Sequence, residues 1–316
     1  MSGEFQLFEG IENASLPRRP LHLAIGMFDG VHLGHRAVID AAVQSARRSG
    51  GLAVVLTFWP HPSSVMRPDK ATKLIVSPEI KARLLAAAGV DAVISQRFTQ
   101  EFAQIEAEFF LPHLKKFLPQ LHTIYVGENW RFGRGRRGDL ALLLAESRRH
   151  GLTVFSSSRV QENGEPISST RIRACLEEGR IEDANTLLGY TYFAEGRIQP
   201  GKNLGQKIGF PTLNLAWEPE LRPLYGVYAV RVTGLKSTRS HAGVANYGLR
   251  PTVEQSVQPR LEVHLFGDCP FGNGDEIKVE WMRFLRPEKK FGNIDALKAQ
   301  IAEDSAAAKK FFSGEE

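Results

Sequence analysis

The sequence predicts two domains, an α/β domain with a parallel sheet followed by an antiparallel β domain. In the first half, short apolar runs alternate with segments whose apolar residues recur every three or four positions. After Gly189 these helical segments stop, and short runs of alternating apolar and polar residues follow, separated by Gly and Pro. A chain of 316 residues accommodates two domains of ordinary size, which we place at residues 1–187 and 188–316.

The first half contains five apolar runs, each long enough for a buried strand. They are Leu21–Ile25, Leu52–Phe58, Val90–Ser95, Thr123–Gly127 and Leu152–Phe155. Segments with helical periodicity lie between them, at His35–Ser49, Glu79–Gly89, Glu101–Leu118 and Asp139–His150. Strand–helix–strand units form parallel sheets with right-handed crossovers, so we expect helices on both faces of this sheet.

The second half contains four strand-like runs and one helix. The runs are Tyr192–Ile198, Gly226–Val232, Arg260–Phe266 and Glu276–Leu285. Short strands with turn residues between them indicate an antiparallel barrel or a sandwich. An amphipathic helix is predicted at about Ile294–Phe312, at the end of the chain.

Composition and charge favour an intracellular protein that binds anions. No run approaches the ~18 uncharged apolar residues that a membrane span needs, and the first twenty residues lack the long apolar run of a secretory signal. The two cysteines, Cys175 and Cys269, do not have the spacing of metal ligands and suit a reducing cytosol. We therefore expect a cytoplasmic protein without disulfides or zinc, and the net charge of +5 suits anionic ligands such as nucleotides.

The first candidate site is Gly26–His35, where the first strand ends and the first helix begins. A helix N-terminus offers unpaired N–H groups and a positive dipole end to an anion. His32 and His35, three residues apart, are expected to point to one side and to donate hydrogen bonds to a triphosphate, while Gly34 leaves room for the nucleotide. We expect further ligand contacts at Gly26, Phe28, Asp29 and Gly30. The pattern GxxxxGK[ST] is absent, which excludes a P-loop.

Two further segments follow strands of the same predicted sheet. Ile167–Arg173 opens a helix after the last strand, and Val126–Asp139 is a Gly- and Arg-rich loop with Asn129 at a strand's carboxyl end. The hydroxyl and guanidinium groups of the first segment belong to Ser168, Ser169, Thr170, Arg171 and Arg173. Because parallel strands bring their carboxyl ends to one edge, we expect these groups to converge with the histidines, with Phe58–Pro62 as a possible further wall.

In this order and spacing, GxFDGVHxGH, GENxxFGxGRxGD and ISSTRIR resemble the adenylyltransferase module of prokaryotic bifunctional riboflavin kinase/FAD synthetases. The resemblance implies a Rossmann-like nucleotidyltransferase domain in which the FMN phosphate attacks the α-phosphorus of ATP with Mg²⁺ assistance. The positions that match the family's phosphate-binding residues are His32, His35, Ser168, Thr170 and Arg173, and Asn129 matches the family's flap asparagine. Trp59 and Met27 depart from the family's usual residues, and Trp59 affects the expected flavin or adenine stacking.

The second candidate site begins at Gly205–Asn214. Thr212 and Asn214 lie two apart at the start of a strand, so both side chains emerge on one face and could ligate Mg²⁺ held by nucleotide phosphates. Glu262 alternates with apolar neighbours and is expected on the polar face of its strand, with His264. By residue pattern alone, a solvated strand carboxylate and an ordinary turn are the favoured explanation of these residues.

GFPTxN, GVYAV, GVANYGLRPTV, LEVHLF and FLRPEKKF resemble the riboflavin kinase module, a small flavin-binding β-barrel. The resemblance extends over about Leu21–Phe312 and implies that Glu262 is the catalytic base for the flavin's 5′-hydroxyl. It implies Mg²⁺–ATP binding by Thr212 and Asn214. It implies further contacts to ATP or flavin by Gly205, Lys207, Gly209, Pro211 and Arg286. Gln206 and Leu213 depart from the family pattern, as does the loop GDCPFGNGDEI.

Three alternatives remain at this point. Other HxGH nucleotidyltransferases, acting on nicotinamide mononucleotide, phosphopantetheine or a polyol phosphate, explain the first half but leave GFPTLN and LEVHLF without a purpose. A nucleic-acid-binding module needs aromatics interleaved with Lys and Arg on exposed strands, and the barrel strands have no basic stripe. A degenerate enzyme, with one module that only binds flavin, is the third. The expected partners are ATP, riboflavin and FMN, with no nucleic acid or membrane, in a monomer or weak homo-oligomer.

Overall fold

The structure is a computed structural model that describes residues 5–201, 205, 209–249 and 259–314. The chain divides into two compact units, Met1–Ser169 and Thr170–Glu316. No helix within these described ranges is long and apolar enough to cross a membrane.

The first unit contains a six-stranded parallel sheet in the order β1-β4-β3-β2-β5-β6. Its strands are β1 (Gln6–Glu9), β2 (Leu21–Ile25), β3 (Leu52–Trp59), β4 (Ala92–Arg97), β5 (Leu121–Gly127) and β6 (Thr153–Ser157). Its helices are α1 (Leu33–Ser49), α2 (Pro62–Met66), α3 (Pro78–Ala87), α4 (Ala107–Phe117) and α5 (Leu140–Arg149). Short 3-10 turns occur at Ile11–Asn13, Pro68–Lys70, Phe102–Gln104 and Arg134–Arg136. The two-residue strands β7 (Gln161–Glu162) and β8 (Glu165–Pro166) pair with each other.

Both faces of this sheet are buried, as predicted. Along β2, Leu23 belongs to the apolar cluster that includes Leu111 and Leu114 of α4, whereas Ala24 belongs to the cluster that includes Ile39 of α1. Side chains alternate between the two faces of a strand, so a strand covered on both sides is continuously apolar. This confirms the parallel α/β domain with helices on both faces.

The predicted helix Glu101–Leu118 is interrupted. Arg134 donates its backbone N–H to the carbonyl of Ile105 at 2.7 Å, and Ile105 and Glu106 have extended backbone angles. α4 therefore begins only at Ala107, where the backbone of Gly133 lies so close that a Cβ on this glycine would be 2.6 Å from the Ala107 Cα. A tertiary contact with the loop Val126–Asp139 thus divides the predicted helix into a 3-10 turn and α4.

The second unit contains a closed antiparallel barrel in the order β10-β13-β12-β11-β14-β9. Its strands are β9 (Phe193–Gln199), β10 (Leu213–Leu215), β11 (Gly226–Gly234), β12 (Ser240–Leu249), β13 (Pro259–Leu265) and β14 (Glu276–Pro287). The remaining helices are α6 (Ser169–Glu177), α7 (Ile181–Leu188) and α8 (Ile294–Ser313). The barrel and terminal helix confirm the predicted β domain and decide between barrel and sandwich.

The barrel interior is filled by aromatic side chains. Tyr228, Tyr247 and Trp281 are fully buried, and the ring of Trp281 meets those of Tyr228 and Tyr247 edge-on at centroid distances of 4.5 and 5.6 Å. On the outer surface, Ala308 of α8 packs with Val244 of β12 in a small apolar cluster. Large rings inside and a helix outside therefore hold the strands in one register.

Candidate active sites

A cavity of about 360 Å³ lies in the first unit at the carboxyl ends of β2, β5 and β6. The chain proceeds from β2 outward to β3 and β4, and later from β5 outward to β6 on the opposite side. The cavity is therefore at the point where the strand order reverses, which is where open α/β sheets bind ligands. Residues from Gly26–Val38, Gly127–Trp130, Ser157–Val160 and Pro166–Ser169 line it.

The loop between β2 and α1 turns sharply. Phe28, Gly30 and Val31 have φ values of 49°, 79° and 39°, and a left-handed backbone is unusual for the two residues that carry a Cβ. Phe28 is buried and meets the ring of His35 edge-on at 5.3 Å. A Cβ on Gly26 would lie 3.0 Å from the Phe28 ring, so the buried ring would have to shift to make room for any other residue there. The turn directs the N-terminus of α1 toward the cavity.

His32 and His35 lie together on the cavity wall, as predicted. His32 is the N-cap of α1, and its Nδ1 accepts the backbone N–H of His35 at 3.3 Å. The two rings stack with centroids 3.6 Å apart and an interplanar angle of 18°. In a neutral His32, acceptance at Nδ1 places the ring proton on Nε2. This arrangement presents imidazole donors beside the N-terminus of a helix.

Gly34 and the first residues of the Ile167–Arg173 segment complete this wall. A Cβ on Gly34 would lie 3.1 Å from His32 Cε1 and 3.4 Å from the Ile167 carbonyl oxygen. Ser168 and Ser169 line the cavity, and Ser169 Oγ donates to the Asp29 carbonyl at 3.1 Å. The next residues of α6, including Thr170 and Arg173, belong to the second compact unit.

Three predicted site features of the first unit lie outside the cavity lining. The buried carboxylate of Asp29 accepts the backbone N–H of Ile75 at 3.0 and 3.1 Å, and so orders the loop itself. Gly30 contributes its left-handed backbone to the turn. The lining does not include Phe58–Pro62, because β3 flanks β2 on the side away from β5. Trp59 is half-exposed there.

In the barrel, the strand register brings the predicted kinase residues together. Glu262 of β13 lies directly opposite Asn214 of β10 on one side and Asn246 of β12 on the other. Opposed residues of antiparallel strands have Cβ atoms about 4.5–5.5 Å apart on the same face. Leu261 and Val263 are fully buried inside, which confirms that Glu262 lies on the outer face. We call Asn214, Glu262 and Asn246 the outer-face row.

The segment before β10 lies beside this row. His264 Nδ1 donates to the Pro211 carbonyl at 2.8 Å, and the Phe210 backbone N–H donates to the Gly205 carbonyl at 2.8 Å. A Cβ on Gly205 would collide with the Phe210 carbonyl and lie 3.2 Å from Thr212 Oγ1, so the close approach requires glycine. Gly209 has a left-handed φ of 87°. Lys207 and Gln206 lie outside the described residues.

Comparison with known proteins gives a separate family match for each half of the chain. A FAD synthetase family model matches residues 16–171, and a riboflavin kinase family model matches residues 188–312. A bifunctional riboflavin kinase/FMN adenylyltransferase of Escherichia coli K12 is 38% identical over 308 residues, covering 97% of this chain and 98% of that protein. The chain belongs to the bifunctional riboflavin kinase/FMN adenylyltransferase family. It therefore functions in flavin cofactor biosynthesis, making FMN from riboflavin and FAD from FMN.

Further relatives agree over nearly the full length. The bifunctional riboflavin kinase/FMN adenylyltransferase of Haemophilus influenzae is 37% identical over 310 residues, covering 98% of this chain and 99% of that protein. A solved structure titled macrolide-efflux protein, from Streptococcus pneumoniae, superposes with a TM-score of 0.86 at 26% identity, covering 96% of this chain and 98% of that one. The full-length matches reject the alternative of another HxGH nucleotidyltransferase.

Sequence reasoning missed Arg159, which lines the cavity of the first unit after β6. When the amide oxygen of Asn129 faces the Arg159 guanidinium, this oxygen accepts hydrogen bonds from Nε at 2.7 Å and from Nη2 at 2.9 Å. The Glu128 carboxylate lies 3.7 Å from Arg159 Nε. Arg159 follows a predicted strand, so the rule that strand ends converge was the signal that could have found it. The cavity thus contains a cation beside the predicted Asn129.

Arg286 lies within β14, next to the terminal helix of the kinase barrel. Its Nε and Nη2 donate to the two carboxylate oxygens of Asp304 on α8, each at 2.7 Å, and Nη1 donates to the Pro287 carbonyl at 2.9 Å. The Arg286 and Asp304 side chains are 21% and 7% exposed. Arg286 is also opposite Val227, the neighbour of Asn246 across β11 and β12. Its bidentate pair therefore ties α8 to β14, and β11 separates β14 from β12 of the outer-face row.

Proposed function

We propose that the cavity of the first unit catalyses adenylyl transfer and that the outer-face row of the barrel catalyses phosphorylation of riboflavin. The observation that carries this assignment is the stacked His32–His35 pair at the start of α1, on the wall of a cavity at the strand-order reversal. The corresponding support in the barrel is the register that places Glu262 between Asn214 and Asn246.

In the adenylyl transfer, an oxygen of the FMN phosphate attacks the α-phosphorus of ATP, and the bond to the pyrophosphate oxygen breaks. Negative charge accumulates on the phosphate oxygens. His32, His35 and the N-terminal N–H groups of α1 donate hydrogen bonds to these oxygens, and the Arg159 guanidinium adds positive charge. Ser168, Ser169, Thr170 and Arg173 are proposed as the second phosphate contact. Gly26 and Gly34 leave space for the nucleotide beside the backbone.

In the kinase reaction, the Glu262 carboxylate accepts the proton of the riboflavin 5′-hydroxyl while the hydroxyl oxygen attacks the γ-phosphorus of ATP and ADP leaves. The donor set of Thr212 and Asn214 is a hydroxyl and an amide oxygen, which suits a hard cation such as Mg²⁺. When bound there, Mg²⁺ would neutralise charge on the nucleotide phosphates. Gly205, Lys207, Gly209, Pro211 and Arg286 are proposed to position the ATP or the flavin.

The test uses the two activities of one chain as controls for each other. The full-length protein is incubated with ATP and Mg²⁺, with riboflavin or FMN, and the flavins are separated by chromatography. Glu262→Gln should lower FMN formation by roughly 10²–10⁴-fold, because a general base contributes about that much, and should leave FMN adenylylation unchanged. His35→Gln should show the reverse selectivity. If Glu262→Gln formed FMN at the wild-type rate, Glu262 would not be the base.

We further propose that the protein is cytoplasmic and that its kinase domain starts at residue 188. We also propose that it acts on nucleotides and flavins and does not bind nucleic acid. The free thiols of Cys175 and Cys269 are consistent with a reducing compartment. The same assay, repeated with an excess of duplex or single-stranded oligonucleotide, should give unchanged rates. Light scattering over a range of protein concentrations should show a monomer or a weak homo-oligomer.

A further inference from the structure

The adenylyltransferase unit contains a buried lysine that neither reaction uses directly. Lys81 of α3 is 7% exposed, and its Nζ donates to Thr57 Oγ1 at 3.0 Å and to the Met27 carbonyl at 3.3 Å. Thr57 Oγ1 itself donates to the same carbonyl at 2.9 Å. Gly26, Met27 and Phe28 line the cavity. One ammonium group, which is not part of the cavity lining, therefore binds the backbone of the loop.

The same loop also places a carboxylate near this ammonium. Asp29 is 3% exposed, and its negative charge acts on Lys81. Its backbone carbonyl accepts a hydrogen bond from Oγ of Ser169, which lines the cavity. A buried cation is costly unless it is paired and hydrogen-bonded, and here the groups that compensate it belong to the loop Met27–Asp29 and to Thr57. Lys81 is thus connected through this loop to the cavity wall that carries Ser169.

We propose that Lys81 is a positioning residue for FMN adenylylation: its ammonium holds Met27–Asp29 in the strained turn that aims His32 and His35 at the phosphates. The proposal rests on the function proposed above for the first unit. It predicts that loss of the charge moves the phosphate-binding wall without unfolding the unit, so the effect falls on adenylyl transfer and not on the kinase barrel.

The protonation of Lys81 gives this proposal a pH signature. Burial lowers the pKa of Lys81 to about 8, and the Asp29 carboxylate opposes that shift. The charged residues beside it on its own helix, Glu79 and Arg83, are exposed. Above about pH 8 the ammonium loses its proton, and its attraction for the loop weakens. The rate of adenylyl transfer should therefore decline as the pH rises above about 8.

Stability should change in the opposite direction. Because the pKa of folded Lys81 is below its usual 10.5, the folded chain carries the cost of the buried charge below pH 8. That cost is relieved as the pH rises from about 8 toward 10.5, so the contribution of Lys81 to stability increases over the range in which adenylyl transfer declines. A purely structural lysine would not lower activity while its contribution to stability improved.

The test compares Lys81→Met with Lys70→Met, an exposed lysine of the same unit, in the full-length protein. At pH 7.5, Lys81→Met should lower kcat/KM for FMN adenylylation at least tenfold, with riboflavin phosphorylation within twofold of wild type. Its pH profile should lack the decline near pH 8. Thr57→Val, which removes one of the two acceptors of Lys81, should reproduce part of the loss. Lys70→Met should change neither activity.

Two results would overturn the proposal. The first is that the Lys81→Met protein catalyses adenylyl transfer within twofold of the wild-type rate and its activity shows the same decline near pH 8. The other is an equal loss of both activities, which would indicate general misfolding, with Thr57→Val showing no selective loss. His35→Gln separates this inference from the proposed function. If His35→Gln is also fully active, the site assignment fails, whereas activity of Lys81→Met alone rejects only the positioning role.

Discussion

Replacing Asp304 with Asn should destabilise the kinase barrel by about 2–3 kcal/mol. The substitution keeps the size of the side chain but converts a bidentate, charge-assisted pair with Arg286, two contacts of 2.7 Å, into at most one neutral acceptor. Hydrogen bonds to charged groups contribute about 1.5–3 kcal/mol, and breaking a fully buried pair costs about 3–5 kcal/mol. Arg286 retains 21% exposure, so solvent replaces part of the lost interaction and the lower range applies.

Urea unfolding followed by tryptophan fluorescence measures this change. Trp217 and Trp281 lie in the barrel unit with ring centroids 5.4 Å apart, whereas Trp59 and Trp130 lie in the first unit. A background in which Trp59 and Trp130 are replaced by Phe therefore isolates the barrel transition. The midpoint for Asp304→Asn should fall with an unchanged slope, since the surface exposed on unfolding is the same.

Glu276→Gln is the matched control on the same barrel. Glu276 lies 3.4 Å from Arg197, and these two side chains are 50% and 67% exposed. Exposed pairs contribute about 0–1 kcal/mol, so the control should shift the midpoint little. If Asp304→Asn and Glu276→Gln destabilised the barrel equally, burial of the Arg286–Asp304 pair would not be what holds α8, and the reasoning would be refuted.

Two further predictions concern the adenylyltransferase cavity. Gly34→Ala should change stability by no more than about 1 kcal/mol, because alanine favours helix but its methyl, 3.1 Å from His32, displaces the N-cap of α1. It should lower adenylyl transfer, because His32 moves. Thermal unfolding and steady-state kinetics measure the two effects. Unchanged kinetics would show that the space beside Gly34 is not used. Arg159→Met should raise KM for ATP in adenylylation only, and Arg159→Lys should not restore it, because lysine lacks the paired donors that face Asn129. Rescue by lysine would mean that charge alone matters.

The sequence predicts the buried elements of this fold well and the edge elements poorly. β2 has the bounds that the sequence predicts, because every residue of Leu21–Ile25 is buried and the ends of the apolar run are clear. β1 was not predicted: Gln6–Glu9 is mostly exposed, and only its pairing with β4 makes it a strand. β12 was also missed, because its glycines are typical of turns. Gly243 is required there by the carbonyl of His264, 2.5 Å from where its Cβ would lie.

The candidate sites show the same division between local and tertiary information. The placement of His32 and His35 was predictable because both belong to one helix start, four residues long. The Arg159–Asn129 contact depends on the adjacency of β5 and β6, and no local pattern contains it. Lys81 was not predictable either, because a lysine is expected on the exposed side of a helix. Its burial follows from a carbonyl and a hydroxyl contributed by two other segments.

The outer-face row is subject to a stricter constraint than the cavity. Side chains alternate between faces of a strand, so a one-residue slip of β13 would bring Leu261 or Val263 into line with Asn214 and Asn246. The same slip would turn the Glu262 carboxylate into the aromatic interior and expose two fully buried residues. Burying an unpaired carboxylate and exposing two apolar side chains are both unfavourable, so the slipped register is strongly disfavoured. The packing that closes the barrel and the alignment of the kinase residues therefore depend on one and the same register.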